Sequence, residues 1–291
     1  MNDIVRDLIG LLTLERLDTN LFRGQSLDFG TSRVFGGQVL GQALAAAGHT
    51  IEAGSAHSLH AYFLRAGDHD APIIYEVDRA RDGRSFASRR VVAIQHGRPI
   101  LNLAASFQLP ETGLEHQCTM PDVPHADSLK DIGQYRREFL DRMPPDKLPR
   151  YLKLEDPFEF RPVQAPPFAE SQSREPNYAM WFRTASPLPD DEPLHRAILT
   201  YVSDYSLISV ATRPHIDTVP RSQFSIASLD HAMWFQRPFR MDQWLLYSMD
   251  SPSATGGRGL VQGRIFREDG TLVAVVTQEG VMRVARPRSN D

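Results

Sequence analysis

The chain has 291 residues, 41% of them hydrophobic, enough for one large or two ordinary domains with a substantial core. Its 32 basic and 36 acidic residues leave a formal charge of −4 with no basic block, so the electrostatic footprint of a nucleic-acid binder is missing. A lone cysteine, Cys118, excludes an intrachain disulfide and any multi-cysteine metal cage, and fits a reducing compartment.

The opening stretch, MNDIVRDLIGLLTLERL, carries Ile4, Leu8, Leu11 and Leu12 at helical spacing. Acidic residues interrupt it and no cationic start precedes it, which predicts an amphipathic docking helix rather than a signal peptide. No window approaches the roughly 18 uninterrupted apolar residues of a membrane span. The closing Ser289, Asn290 and Asp291 do not spell a peroxisomal Ser-Lys-Leu address, and the expectation is a cytoplasmic protein without membrane partners.

GGQVLGQALAAAGH (36–49) predicts a small-residue helix opened by two glycines and suited to lie close against a curved sheet. Strand-like segments follow at 58–64, 72–80, 85–95 and 99–109, separated by turn signals such as Asp82-Gly83 and His96-Gly97. Residues 1–110 thus read as a helix followed by an antiparallel meander. From 111 the composition turns polar, with prolines at 144, 145, 149, 157, 162, 166 and 167, which predicts a long connection through 173. The first pattern returns in 174–291, with a helix across roughly 193–211 and strands at 224–235, 243–250, 260–267 and 271–284. Asp269-Gly270 supplies a hairpin turn between the last two.

The halves align by eye, HSLHAYFLR (57–65) against ASLDHAMWFQR (227–237) and GRSFASRRVVA against GRGLVQGRIF. A spacing of about 170 residues exceeds the roughly 20–50 of solenoid units. Duplication of a whole helix-plus-sheet domain is the better reading, an α+β fold whose two antiparallel sheets pair edge to edge.

In TYVSDYSLISV (200–210), Asp204 shares a helical face with Ala197, Thr200, Tyr201, Leu207, Ile208 and Ala211. A carboxylate buried there costs several kcal/mol unless paired or hydrogen-bonded. The ordinary roles are a turn cap, a tyrosine partner or a solvent-facing group where the helix ends. In LVAVVTQEGVMRV, Gln278 continues the strand face of Leu272, Ala274 and Val276, so its amide also needs partners. Ser228 alone is an ordinary half-buried strand serine.

Other motifs give little. Gly257-Arg258-Gly259 has Gln262 where a dinucleotide fingerprint needs its third glycine. GRSFA (83–87) imitates a nucleophile elbow, but it leads into a strand and makes Ser85 a poor nucleophile. His57 and His60 tempt a histidine base, or with Asp68, His69 and Asp70 a metal site. Their spacing on a strand points them to opposite faces, so no metal is expected. HExxH, P-loop and CxxC patterns are absent from the sequence.

Seven segments in order, FRGQSLDFG, VFGGQVLGQAL, HSLHAYFLRAGD, DGRSFASRRV, YVSDY, SLDHAMWF and VVTQEGVMR, resemble the acyl-CoA thioesterase II family, the double-hotdog thioesterases. The resemblance implies two hotdog domains, each a helix wrapped by an antiparallel sheet. It also implies hydrolysis of medium- or long-chain fatty acyl-CoA to fatty acid and coenzyme A, with no metal or cofactor. That family holds a water with an aspartate, a hydroxyl residue and a glutamine, which match Asp204, Ser228 and Gln278 here. Threonine is commoner than serine at the second position, and loss of its methyl frees the rotamer.

With such a substrate, Gly36 and Gly37 are candidates for a backbone oxyanion donor. Arg84, Arg89, Arg90, Arg258 and Arg264 are candidates for the phosphates, and Met233, Trp234 and Phe235 for the acyl slot. Superposing the halves sets Gln38 against Asp204, Ser58 against Ser228 and Ser106 against Gln278, so one active centre per chain is expected. His231 leaves an acyl-CoA hydratase or dehydratase open, and a silent acyl-CoA-binding protein is the other alternative. A symmetric homodimer or tetramer is expected.

Overall fold

The computed structural model describes residues 1–28, 30–31, 33–143 and 150–284. Phe29, the prolines at 144, 145 and 149, and the closing Ser289, Asn290 and Asp291 lie outside the described residues. The opening helix α1 spans Asp3–Leu12, with Asn2 capping the Val5 N–H at 3.0 Å. It buries Val5, Leu8, Leu11 and Leu12, as an amphipathic docking helix should. Among the described residues no helix is long and apolar enough to cross a membrane.

The strands β1 (Glu15–Asp18), β2 (Leu21–Gly24), β3 (Ser55–Phe63), β4 (Ile73–Asp82), β5 (Phe86–Gln95) and β6 (Arg98–Gln108) make up the first half, with helix α2 (Gly36–Gly48) lying on them. Helix α3 (Ile132–Leu140) and strand β7 (Phe158–Pro162) fall within the proline-rich stretch. The second half adds β8 (Asn177–Thr184), α4 (Glu192–Ser203), β9 (Phe224–Ser228), β10 (Asp230–Phe235), β11 (Leu245–Thr255), β12 (Arg258–Arg267) and β13 (Leu272–Val284). One antiparallel sheet runs β1-β2-β4-β5-β6-β3-β10-β13-β12-β11-β8-β7, with β9 also on β13. The order outward from the centre, β3-β6-β5-β4-β2, is repeated by β10-β13-β12-β11-β8. The halves join where β3 meets β10, Leu59 opposite Met233. This is the double hotdog that the duplicated pattern and the resemblance led us to expect.

The stretch 111–173 is more than a connection. Its β7 pairs with β8, so the ladder of the second half begins inside it. Strand β8 reads YAMWF at 178–182, buried on both faces, and something must cover the outer one. Met120, Val123, Ala126 and Leu129 do so, packing over Trp181, Trp244, Leu246 and Phe266. The indole of Trp181 donates to Pro124 O at 2.9 Å and pins this strap.

Helices α2 and α4 pack antiparallel inside the curved sheet. The small residues of α2 serve this helix–helix contact as well as contact with the sheet. A Cβ on Gly37 would lie 2.1 Å from Tyr201 O, and one on Gly41 3.0 Å from Ala197 O. Helix α4 stops at Ser203, short of the expected 211. Asp204 is its C-cap, Ser206 has φ 60°, and a 3-10 segment continues from Ile208 to His215. Leu207, Ile208 and Ala211 therefore do not extend the α4 face that the helical wheel assigned them.

Gly37→Ala should force the helices apart and destabilise the fold by about 1–3 kcal/mol. Gly48, with nothing within 4 Å of an added Cβ, is the control. Gly48→Ala should be neutral or stabilising by up to about 1 kcal/mol in urea unfolding.

Candidate active site

The antiparallel helix pair sets the C-terminus of α4 beside the N-terminus of α2. Phe35, the N-cap of α2, offers no side-chain cap, which leaves the first N–H groups of that helix for another acceptor. The Asp204 carboxylate takes that place and accepts a hydrogen bond from the Gly37 N–H. A carboxylate is favoured at the positive end of α2 as strongly as it is disfavoured at the end of its own helix. Gly36 makes room, since a Cβ there would sit 2.7 Å from Asp204 Oδ2.

Two side chains from the sheet complete the ring of donors. Gln278 on β13 and Ser228 at the end of β9 both hydrogen-bond Asp204, and Gln278 Nε2 donates to Ser228 Oγ at 2.6 Å. Burial raises the Asp204 carboxyl to about 6, and the three donors hold it from rising further. Tyr201 and Tyr205 stand beside it, each edge-on to Phe35 at 5.2 and 5.0 Å.

A bulge makes this convergence possible. Ser228 faces Gly280, and Ala232 faces Thr277. Three residues on one strand therefore span two on the other, and Asp230 Oδ1 accepts the displaced Glu279 N–H at 2.7 Å. On an unbroken strand, Ser228 and His231 would point to opposite faces. The extra residue turns both inward, and His231 Nδ1 meets Gln278 Oε1 at 2.6 Å. The continuous strand expected across 224–235 hides this, so the sequence reading missed the contact between His231 and Gln278. Two polar side chains three apart, flanking a Leu-Asp pair, were the available signal.

Asp204 lies in the wall of a cavity of about 880 Å³ between α1, the end of α4 and the segment around 152–168. Leu8, Leu11, Phe35, Phe160, Met180 and Tyr201 supply apolar lining. The residues expected to line a slot lie elsewhere: Met233 is in the core, Trp234 packs on His60 from the other face, and Phe235 stacks on Phe239.

Residues 153–281 match the acyl-CoA thioesterase family, and residues 25–108 match the acyl-CoA thioesterase N-terminal domain. The chain is 43% identical to acyl-coenzyme A thioesterase 8 of Homo sapiens, over 94% of this chain and 88% of that one. It is 42% identical to acyl-CoA thioesterase 2 of Haemophilus influenzae, over 97% and 99%. The crystal structure of acyl-CoA thioesterase II TesB2 from Mycobacterium marinum superposes with a TM-score of 0.78 at 41% identity, covering 96% of this chain and 98% of that one. This chain belongs to the acyl-CoA thioesterase family.

Within this thioesterase scaffold the expected arginines are not gathered at Asp204. Arg84 and Arg90 are exposed, Arg258 pairs with Glu279 at 2.8 Å and Arg264 with Asp250 at 3.1 Å. Arg89 is buried, and its guanidinium binds Thr50 Oγ at 2.7 Å, Thr50 O at 3.0 Å and Asp82 at 2.5 Å, a structural placement that leaves none of it for a phosphate. The cavity is instead lined by Arg6 and Arg136, the latter paired with Asp156.

The superposition of halves also needs correction. Gln38 sits at the start of α2, tied to Gln25 O and the Leu27 N–H, whereas the C-cap equivalent to Asp204 is His49. Ser58 lies opposite Ser106 in the β3–β6 ladder, whereas Gln278 meets His231 as well as Ser228. His57 bonds Ser106 at 2.8 Å, and His60 is exposed on the opposite face. Ligand atoms of Asp68, His69 and Asp70 lie within 4.8 Å of one another in an exposed turn, where Asp68 accepts from the Asp70 N–H and contacts His96 at 2.9 Å.

Arg89→Met should strand several buried acceptors and cost about 1–3 kcal/mol in thermal or urea unfolding. The KM for acyl-CoA should stay at the wild-type value; a raised KM without a stability loss would return Arg89 to the substrate.

Proposed function

We propose that the chain hydrolyses medium- and long-chain fatty acyl-CoA to free fatty acid and coenzyme A, with Asp204 as general base for a water held by Ser228 and Gln278. Its membership of the family makes it an acyl-CoA thioester hydrolase. The observation that carries the finer reading is the convergence of Gln278, Ser228 and the Gly37 N–H on one carboxylate raised to about 6. A base of that strength is ionised at neutral pH yet accepts a proton more readily than a surface aspartate.

In this reading the water oxygen bonds to the thioester carbonyl carbon as its proton passes to Asp204. The carbonyl oxygen becomes an oxyanion, for which the Gly36 N–H at the start of α2 is the donor we assign, since the Gly37 N–H is taken by Asp204. Collapse breaks the carbon–sulfur bond, and the departing coenzyme A thiolate takes the proton from Asp204. No covalent enzyme intermediate is needed. The 880 Å³ cavity, within the roughly 300–1,000 Å³ of small-molecule sites, supports a slot for an extended acyl chain.

Hydration or dehydration of an acyl-CoA would want a histidine free to exchange protons. His231 is buried, burial lowers it to about 4, and both ring nitrogens are engaged. Exposed Tyr62, Leu64 and Phe86 on the first half support self-association as a dimer or tetramer. The lone, exposed Cys118 supports a reducing, cytoplasmic setting.

Asp204→Asn should leave the fold intact and lower kcat by about 10²–10⁴-fold, read as free-thiol release across a panel of acyl-CoA chain lengths. Retained hydrolysis would remove Asp204 from the mechanism; hydration of enoyl-CoA without thiol release would change the reaction. Because the base must be deprotonated, kcat/KM should be full above neutrality and fall with decreasing pH through a midpoint at about 6. Met180→Trp, which fills the cavity, should lower kcat/KM for the longest chains most, and an unchanged chain-length profile would move the slot elsewhere.

A further inference from the structure

We infer that His231, held by Ser203, is a positioning residue that orients the Gln278 amide toward the water site. This rests on the reading above, in which Gln278 holds the attacking water. An amide side chain has two faces that differ by a half-turn, and only one of them presents Nε2 to Asp204 and Ser228. With the wrong face, a carbonyl oxygen would confront the carboxylate and the base would lose a donor. Something must therefore select the orientation.

The selection runs through a buried chain of hydrogen bonds. Gln278 Nε2 donates to Ser228 Oγ at 2.6 Å and to Asp204, so Oε1 is left as an acceptor. His231 Nδ1 is 2.6 Å from that oxygen and must carry a proton to bond it. A neutral imidazole with Nδ1–H has an acceptor at Nε2, and Ser203 Oγ lies there at 2.9 Å. The Ser203 hydroxyl has one proton and two acceptors in reach, Thr200 O at 2.8 Å and His231 Nε2 at 2.9 Å, and in the inferred arrangement it donates to Nε2. Ser203 itself is fixed at the last turn of α4, where its carbonyl accepts from Tyr247 Oη at 2.8 Å.

Ser203, His231 and Gln278 are all fully buried, so no water competes for these groups. Ser203 immediately precedes the base Asp204. One turn of α4 thus supplies the base and, through His231, the tautomer that aims the amide at it. The ring acts on orientation and does not itself take the reacting proton.

Thiol release from a saturating acyl-CoA, with KM measured alongside, tests this in His231→Leu, His231→Asn, Ser203→Ala and Gln278→Ala. The leucine variant should lose on the order of 10- to 100-fold in kcat with KM within about threefold, as loss of an orienting group does. Asparagine sets an amide N–H near the Nδ1 position and should recover most of that loss. Ser203→Ala, which frees the tautomer but opens little space, should cost kcat severalfold. His231→Leu combined with Gln278→Ala should be no slower than Gln278→Ala alone, because the histidine has nothing left to orient.

A folded His231→Leu enzyme with wild-type kcat would overturn the inference, as would losses that multiply in the double variant or an asparagine variant no better than leucine. Should the leucine variant not fold, Ser203→Ala and His231→Asn decide: wild-type kcat in the first, or a loss of about 10- to 100-fold in kcat in a folded second, defeats the proposal. Wild-type kcat in Gln278→Ala would instead defeat the water-holding reading beneath it.

Discussion

The placement of one carboxylate organises the centre of this molecule. Raising Asp204 from 3.8 to about 6 corresponds to roughly 3 kcal/mol of destabilisation of its charged form. That cost would be larger still without the three donors that converge on the group, one of them the Gly37 N–H at the start of α2, and without the space that receives it. Each condition reaches back into the fold. The α2 end is free because Phe35 does not cap it, and the carboxylate fits because residue 36 has no Cβ.

The helix pair sets where that meeting occurs. Gly37 against Tyr201 and Gly41 against Ala197 bring the two backbones into contact, and their antiparallel sense aligns the end of one helix with the start of the other. By the internal symmetry the opposite ends also meet, around His49 and Asp191, where a second cavity of about 610 Å³ opens. There the C-cap of α2 is a histidine whose basicity burial lowers, and no carboxylate equivalent to Asp204 is present at that position. The two helix ends recur in the first half without a counterpart of Asp204.

The sheet contributes by departing from regularity. A perfect strand across 224–235 would turn Ser228 and His231 to opposite faces, and the site would lose either the hydroxyl or the support of the amide. The bulge at Asp230 adds one residue and restores both, with the Asp230 carboxylate filling the broken ladder. Strand β13 keeps an unshifted register with β12 from Ala274 to Val281, and Gln278 stays on the buried face its alternation assigns.

Much of the protein was legible in the chain alone. Periodicity identified the amphipathic α1, the small-residue α2, the meander of each half and their duplication. The family segments singled out Asp204, Ser228 and Gln278, which the fold brings together. Local pattern suffices for these because helix and strand periods are properties of neighbouring residues. The end of α4 at Ser203, the bulge, the buried Arg89 and the burial of Gln278 between His231 and Ser228 were decided by tertiary structure. Each depends on a partner far along the chain: Tyr247 on Ser203, Glu279 on Asp230, Thr50 on Arg89. One sequence determined which residues were available to make a site; only the packing of two antiparallel helices within one sheet decided which of them hydrogen-bond one another.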